Sequence, residues 1–191
     1  MNDTIKYTVD QDGIALLTID LPGTSMNVLT PELMADLEEL TTRAAEDEAV
    51  KGIVLTSGKK AFIAGADIKD MVTAYDRGVS EKEAASFSFE LTRVLRGTQR
   101  APRLIGFRNA ATMILQCRNQ KPPQALEMGL VHELAPAAEI VERARAWVLE
   151  KGDPEQPWDK KKFKFPGGGL AHPATAQTFM GGNALLAKAT K

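Results

Sequence analysis

The chain has 191 residues, of which 43% are hydrophobic, enough for one globular domain with a short appendage. Its 24 Lys and Arg residues are balanced by 25 Asp and Glu residues, so the basic excess of a nucleic-acid-binding protein is absent. No apolar run approaches the ~20 residues of a membrane span, the lone Cys117 cannot form an internal disulfide, and no Cys/His/Asp cluster has metal-ligand spacing.

The N-terminal part has the pattern of a layered α/β structure. Residues 5–9 alternate like a half-buried strand, a Gln-Asp-Gly turn follows, and residues 14–19 predict the returning strand of a hairpin. Thr30–Glu32 is typical of a helix start, with a hydroxyl cap, a proline and an acidic residue. This helix is expected to end near Ala45, and the apolar run 52–56 then predicts a buried strand. The order β-β-α-β favours an α/β fold.

The segment Ala61–Met71 follows the strand predicted at 52–56 and precedes a stretch that can begin a helix. A loop of small residues at such a junction leaves backbone N–H groups without partners. These groups can bind a phosphate, or an oxygen that gains negative charge in a reaction. Ala64, Gly65 and Ala66 have side chains too small to keep a ligand from the main chain. The same pattern occurs in ordinary tight connections, so the residues alone leave both interpretations open.

Most of the remaining chain predicts helices. Ser80 and Glu83 form a capping box, which is typical of a helix start. Apolar residues at helical spacing predict helices at 80–95, 107–118, 122–128 and 137–151. Leu130 and Val131 predict a short extended piece.

The composition changes near the C-terminus, where turn-forming residues and a basic run appear. Pro166–Gly169 has the composition of a flexible linker, and residues 174–189 predict a last helix. No Gly-x-Gly-x-x-Gly motif occurs, so NAD is not assigned. We therefore expect a domain at 1–152, followed at 153–191 by a linker and the start of a C-terminal extension.

Four segments carry a family resemblance: Leu21–Leu29, Ala61–Lys69, Gly97–Gly106 and Ala125–Val131. In this order they resemble signatures of the crotonase, or enoyl-CoA hydratase/isomerase, family. The resemblance spans roughly residues 5–150. It implies a crotonase-like α/β fold, built of repeated ββα units as a layered sheet with flanking helices. The C-terminal residues resemble the region that follows the hydratase domain in multifunctional fatty-acid oxidation proteins.

The resemblance also implies a chemistry. The family acts on acyl thioesters of coenzyme A, and two backbone N–H groups stabilise the negative charge on the thioester oxygen. One of these donors is assigned by resemblance to the backbone of Ala66, which is our candidate catalytic residue. Binding of the CoA thioester is assigned to residues of two loops, namely Ser25, Met26, Ala64, Gly65, Asp67, Ile68 and Lys69. The implied reaction is hydration of a trans-2-enoyl-CoA to a 3-hydroxyacyl-CoA in fatty-acid β-oxidation, with no cofactor beyond the CoA of the substrate and no metal.

One departure from the family pattern lies between Arg96 and Gly97, which are adjacent in this chain. In the family several dozen residues stand there, and they supply the second N–H donor and two glutamates that act on water. Three hypotheses are therefore open: an enoyl-CoA hydratase, a CoA-ester-binding protein without turnover, and an assembly subunit.

The missing segment would leave apolar surface exposed on Ile53, Val54 and Leu55 and on the helix face of Phe87 and Leu91. Crotonase-family proteins commonly form trimers or hexamers, so we expect a homo-oligomer or a part of a fatty-acid oxidation complex. The first residues have neither the basic region nor the apolar core of a secretory signal, which favours a cytoplasmic location.

Other polar residues of the chain are candidate substitutes for the missing glutamates. Glu127 and Glu133 are candidate bases, but solvated charges near a helix end are the favoured interpretation. His132 is a general base by residue type, with a structural or surface role favoured. Asp67 is expected to accept N–H bonds near a helix start. Lys69 is expected either near the CoA phosphates or in solvent.

Overall fold

The structure is a computed structural model, and it describes residues 2–67, 72–73, 76–78, 80, 97–115, 120–169 and 171–180. The described elements are β1 (Ile5–Val9), β2 (Ile14–Ile19), α1 (Pro31–Glu46), β3 (Gly52–Ser57), α2 (Gly97–Leu115), α3 (Pro122–Glu127), α4 (Ile140–Lys151) and α5 (Pro173–Met180). The helix predicted at 80–95, and the residues Ile68, Lys69 and Cys117, lie outside the described residues.

The chain divides into two compact units. The first contains Met1–Val94 and Ala137–Asp153, and the second contains Leu95–Pro136 and Pro154–Lys191. The predicted boundary at residue 152 stays a prediction.

A three-stranded sheet with β2 in its centre forms the frame of the first unit. β1 is antiparallel to β2, with Ile5 opposite Ile19. β3 is parallel to β2, with Ile19 opposite Ser57, so both strands end at the same edge of the sheet. A parallel pair needs a crossover connection, which α1 supplies. The predicted order β-β-α-β is thereby confirmed.

The core of the first unit lies between this sheet and α1. Thr30 caps α1, because its hydroxyl oxygen accepts the N–H of Leu33 at 3.2 Å. Apolar residues recur along α1 at helical spacing and face the alternate residues of β2. The buried cluster consists of Ile5, Ala15, Leu17, Ile19, Leu21, Leu29, Leu33, Leu37, Leu40 and Ala44. Each large apolar side chain buried here contributes about 1.5–3 kcal/mol to the transfer free energy.

β3 differs from the buried strand that its apolar run predicted. Val54 is 5% exposed, whereas Ile53 and Leu55 are each 37% exposed. Successive side chains of a strand point to opposite faces, so Ile53 and Leu55 share the face opposite Val54. The prediction of exposed apolar surface is confirmed for Ile53 and Leu55 and is wrong for Val54.

α4 packs against β3 within the first unit. A Cβ at Gly52 would overlap Cγ1 of Val148, so glycine allows the close approach of the helix. Arg145 of α4 forms ion pairs with Asp10 at 2.6 Å and with Asp12 at 3.1 Å, both in the turn between β1 and β2. α4, which comes late in the chain, therefore packs onto the sheet that the first strands form.

The second unit is built on α2, which is kinked at Gly106, where φ is 77°. The helices predicted at 107–118 and 122–128 are observed in α2 and α3, but α2 begins earlier, at Gly97. A Cβ at Gly106 would overlap the carbonyl oxygen of Pro166. The residues at 130–132 form a bend, so the predicted extended piece is wrong.

Residues 163–169 and 171–180 contribute contacts to α2 in the second unit. The rings of Phe107 and Phe165 are stacked with centroids 4.7 Å apart, and Phe163 meets Phe165 edge-on at 5.2 Å. α5 also contacts α2. No helix in the described part of the chain is long and apolar enough to cross a membrane.

Candidate oxyanion-binding loop

The candidate site lies where β2 and β3 end, in two loops that run side by side. Ala64 N–H donates to the carbonyl of Asn27 at 2.8 Å, and Leu29 N–H donates to the carbonyl of Gly65 at 2.8 Å. Asp67 N–H donates to the carbonyl of Leu29 at 3.3 Å. These bonds bring together two segments that the sequence analysis had singled out separately.

Ala66 occupies the middle of this arrangement. It forms an isolated parallel bridge with Leu29, and the bonds of that bridge are made by its two neighbours, Gly65 and Asp67. Because successive residues of an extended chain alternate in direction, the N–H of Ala66 points away from Leu29. It has no hydrogen-bond partner among the residues that the structure describes. The backbone therefore offers one donor on the outer side of the bridge.

Gly65 shapes the main chain next to this donor. Its φ is 135°, a conformation that residues with a side chain rarely adopt. A Cβ at Gly65 would meet no atom of the described residues within 4 Å. Among these residues, glycine is thus required by the backbone conformation and not by crowding.

Asn27 is buried beneath the loops, with 0% exposure. Its Oδ1 accepts the N–H of Leu21 at 3.1 Å. Its Nδ2 donates to the carbonyl of Ile19 at 3.0 Å, to the hydroxyl of Ser57 at 2.9 Å and to the carbonyl of Phe62 at 3.3 Å. Asn27 belongs to the segment Leu21–Leu29 of the family resemblance, but sequence reasoning gave it no role. Its position shortly before the start of α1 was the only sequence feature that could have indicated one.

Ser57 and Lys59 extend this network along the second loop. The Ser57 hydroxyl donates to the carbonyl of Ala61 at 2.8 Å and accepts the N–H of Lys59 at 3.0 Å. The Lys59 ammonium donates to the carbonyl of Leu21 and to both oxygens of Thr24, the latter at 2.6 Å. The two loops are therefore joined by side chains as well as by the main chain.

The predicted CoA-binding residues lie on the surface of these loops. Ser25 and Met26 are exposed, as are Ala64 and Gly65, and Asp67 is half-buried. Ile68 and Lys69 lie outside the described residues. Sequence reasoning missed Phe62 on the same loop. Phe62 is 52% exposed, and Met26 is 51% exposed.

Glu127, His132 and Glu133, which were weighed as substitute bases, belong to the second unit and are exposed there. Within the described residues, no group of three His, Cys, Asp or Glu side chains could hold a metal ion.

Among the described residues of the first unit, the carboxylates with a shifted pKa are Asp10, Asp20 and Asp36, and each pKa is lowered, opposite to the raised pKa of a general acid. The hydrogen bond from Lys6 lowers the pKa of Asp20, and the N–H of Ile14 lowers that of Asp10. Burial raises the pKa of Asp36, but hydrogen bonds from Asn2 and Thr4 outweigh it and leave the pKa lowered. These groups stay ionised at neutral pH, so they stabilise structure and do not hold a proton for catalysis.

Comparison with known proteins begins with a family model. The model described as Enoyl-CoA hydratase/isomerase matches this chain in two pieces, residues 10–95 and 88–151. The two pieces overlap at residues 88–95, directly before Arg96 and Gly97, where the family resemblance places the departure from the family pattern.

Two relatives are both described as fatty acid oxidation complex subunit alpha. The protein of Shewanella sp. (strain MR-4) is 30% identical over 196 residues, covering 75% of this chain and 28% of that protein. The protein of Shewanella baltica (strain OS185) is 28% identical over 243 residues, covering 100% of this chain and 33% of that protein. The chain thus spans about a third or less of the length of these relatives. Because 243 aligned positions exceed the 191 residues present, the second relative has residues without a counterpart here.

A solved structure supports the fold. The crystal structure of enoyl-CoA hydratase from Bacillus anthracis is 20% identical, has a TM-score of 0.67 and covers 78% of this chain and 76% of that chain. The predicted crotonase-like fold class is confirmed. Together with the family match over most of the sequence, this shows that the chain belongs to the enoyl-CoA hydratase/isomerase family.

Proposed function

We propose that the chain is the hydratase-type part of a fatty-acid β-oxidation protein and that it binds an enoyl-CoA thioester at the loop Ala61–Asp67. The observation that carries this proposal is the N–H of Ala66, which points out of its bridge with Leu29. The relatives named as fatty acid oxidation complex subunits support the same process.

The proposed reaction is the addition of water to a trans-2-enoyl-CoA. When the thioester is polarised, negative charge gathers on its carbonyl oxygen, and a backbone N–H held in place stabilises that charge. One such donor typically contributes about 10²–10³ to the rate. Ala66 is the donor that we assign, and the open space beside Gly65 admits the thioester.

The surrounding loops suit an acyl-CoA ligand. Phe62 and Met26 present apolar side chains to solvent; Met26 directly precedes Asn27, and the Asn27 side chain donates to the carbonyl of Phe62 at 3.3 Å. We propose that they cover part of the acyl or pantetheine chain, together with Ser25 and Asp67. Coenzyme A enters as part of the substrate, and the proposed reaction needs no other cofactor.

A second candidate function is binding of CoA esters without turnover. The two-piece family match and the additional residues of the Shewanella baltica relative favour it. In the family the second N–H donor and the two catalytic glutamates belong to the segment that would stand between Arg96 and Gly97. A positioned acid or base typically contributes about 10²–10⁴ to the rate. We further propose that the chain works as a homo-oligomer or within a larger fatty-acid oxidation assembly.

The test is calorimetric titration of the purified chain with crotonyl-CoA and with free CoA, beside an assay of hydration by loss of enoyl absorbance. Ala66→Pro removes the N–H, whereas the control Ala66→Ser keeps it. We expect Ala66→Pro to bind the thioester about tenfold more weakly, the value of one hydrogen bond, while Ala66→Ser binds normally.

Binding with hydration supports the hydratase, and binding without hydration supports the second candidate. A chain that binds crotonyl-CoA no better than free CoA, or an Ala66→Pro variant that binds like the native chain, contradicts both.

A further inference from the structure

We propose that Asn27 is a positioning residue that holds the Ala66 N–H in the direction a thioester oxygen requires. This inference rests on the proposed function of the loop. In this role Asn27 does not contact the ligand. It acts only through the residues to which its side chain and main chain are hydrogen-bonded.

Both protons and the oxygen of the Asn27 side-chain amide form hydrogen bonds. A primary amide has two protons to donate and an oxygen to accept with. Its oxygen receives Leu21 N–H at 3.1 Å. Its protons serve Ser57 Oγ at 2.9 Å and the carbonyl of Ile19 at 3.0 Å, with the carbonyl of Phe62 at a longer 3.3 Å. At 0% exposure no water can replace a lost partner without rearrangement.

Two connections lead from Asn27 to the loop that carries Ala66. In the first connection, the Asn27 side chain donates to the Ser57 hydroxyl. That hydroxyl donates in turn to the carbonyl of Ala61 at 2.8 Å. The second passes through the main chain, where the Asn27 carbonyl accepts the N–H of Ala64 at 2.8 Å. The loop is thereby fixed on the N-terminal side of Ala66.

Leu29, two residues after Asn27, fixes the loop directly before and directly after Ala66. Its N–H and carbonyl bind Gly65 and Asp67, at 2.8 Å and 3.3 Å. Ala66 is thus held by bonds to its neighbours while its own N–H has no partner in the described part of the chain. Donors that are oriented in advance cost no reorganisation when charge develops, which is the condition for effective stabilisation of an oxyanion.

The test uses two variants of the full chain that each lose a buried polar side chain of the first unit. Asn27→Ala removes the proposed support. Asp36→Ala is the matched control, because Asp36 is 1% exposed and, among the described residues, its carboxylate binds Asn2 and Thr4, away from the loop. Ser57→Ala is a milder variant that cuts the connection to Ala61 and serves if Asn27→Ala does not fold.

Two readouts are recorded for each variant. Amide hydrogen exchange of the segment 61–67 reports on the free loop. The infrared carbonyl band of crotonyl-CoA labelled with ¹³C at the thioester carbonyl reports on the hydrogen bond to the bound oxygen. We expect Asn27→Ala and Ser57→Ala to speed exchange at Ala64 and Asp67, to lose most of the band shift and to bind the thioester about tenfold more weakly. We expect Asp36→Ala to lower only the melting temperature.

The inference is overturned if Asn27→Ala and Ser57→Ala keep the native exchange rates and band shift while melting earlier, as a purely structural role would predict. It is also overturned if Asp36→Ala reproduces their effects. A native chain that shows no band shift contradicts the proposed function instead. In that case the amide exchange rates still test the role of Asn27. Unchanged exchange in Asn27→Ala overturns the positioning role as well, whereas faster exchange upholds Asn27 as the support of this loop.

Discussion

Leu29 and Ala66 form a single parallel bridge, and its hydrogen bonds join Leu29 to Gly65 and Asp67, the two neighbours of Ala66. Leu29 is buried in the core and directly precedes Thr30, the cap of α1. The same residue therefore anchors both the start of the helix and the loop with the proposed oxyanion donor. Disturbing the loop should therefore also perturb the start of α1.

Replacing Gly65 by alanine should destabilise the first unit through the backbone alone. Its φ of 135° is unfavourable for alanine, but a Cβ there would meet no atom within 4 Å. We expect a loss of about 2–3 kcal/mol in the free energy of unfolding. Urea denaturation followed by circular dichroism measures it.

Gly23 is the control for this substitution, because a Cβ there also meets no atom within 4 Å while φ is 70°. That conformation is less costly for alanine, so Gly23→Ala should lose about 1 kcal/mol. Equal losses in the two variants would contradict the assignment of strain to Gly65.

Replacing Asp36 by asparagine should destabilise the chain at neutral pH and hardly at all in acid. The Asp36 carboxylate accepts the N–H of Asn2 at 2.8 Å and the hydroxyl of Thr4 at 2.8 Å. Asparagine keeps one acceptor and loses the charge, which should cost about 1–3 kcal/mol at pH 7.

The pH dependence follows from the lowered pKa of Asp36 in the folded chain. Below its ordinary value of 3.8 the unfolded chain binds the proton first, so unfolding takes up a proton and acid favours it. The stability that Asp36 provides is present above that value and disappears as the pH falls through the folded pKa. Denaturation midpoints of native chain and Asp36→Asn should therefore converge below about pH 4, and a constant difference would contradict this role.

Replacing Arg145 by lysine should loosen α4 from the turn between β1 and β2. The guanidinium of Arg145 contacts Asp10, Asp12 and Glu142 at 2.6 Å, 3.1 Å and 2.9 Å, and an ammonium cannot span all three. We expect a fall of a few degrees in the melting temperature at low salt, with the difference shrinking as salt screens the charges. A difference that does not change with salt would indicate lost packing of the arginine stem instead.

Replacing Gly106 by alanine should disrupt the second unit more than replacing Gly129. Both glycines have φ of 77°, and Gly106 in addition has ψ of 163°, a combination that is essentially restricted to glycine. A Cβ at Gly106 would overlap the Pro166 carbonyl oxygen, whereas at Gly129 the nearest atom is 3.9 Å away. We expect Gly106→Ala to cost about 1–3 kcal/mol more.

The measurement for this pair uses the two tryptophans, Trp147 in the first unit and Trp158 in the second. In a Trp147→Phe background the fluorescence of Trp158 reports on the second unit. Equal unfolding midpoints for Gly106→Ala and Gly129→Ala would contradict the contact with Pro166.

Sequence reasoning was most successful where structure depends on neighbours along the chain. The alternation in β1 and β2, the cap at Thr30 and the apolar spacing of α1 each predict an element locally, and the observed bounds agree. It missed the helical residues before the break at Gly106, because Gly and Pro within 97–106 weaken the helical signal, which tertiary packing overrides.

The order of the first elements and the small-residue loop around Gly65 were determined by the sequence itself. The family resemblance singled out Ala66, but which groups surround it depends on which distant segments meet. The burial of Asn27, the bridge between Leu29 and Ala66 and the exposure of Ile53 all depend on packing in three dimensions. Only the tertiary structure decided them, because a hydrogen bond between separate loops leaves no periodic pattern in either loop alone.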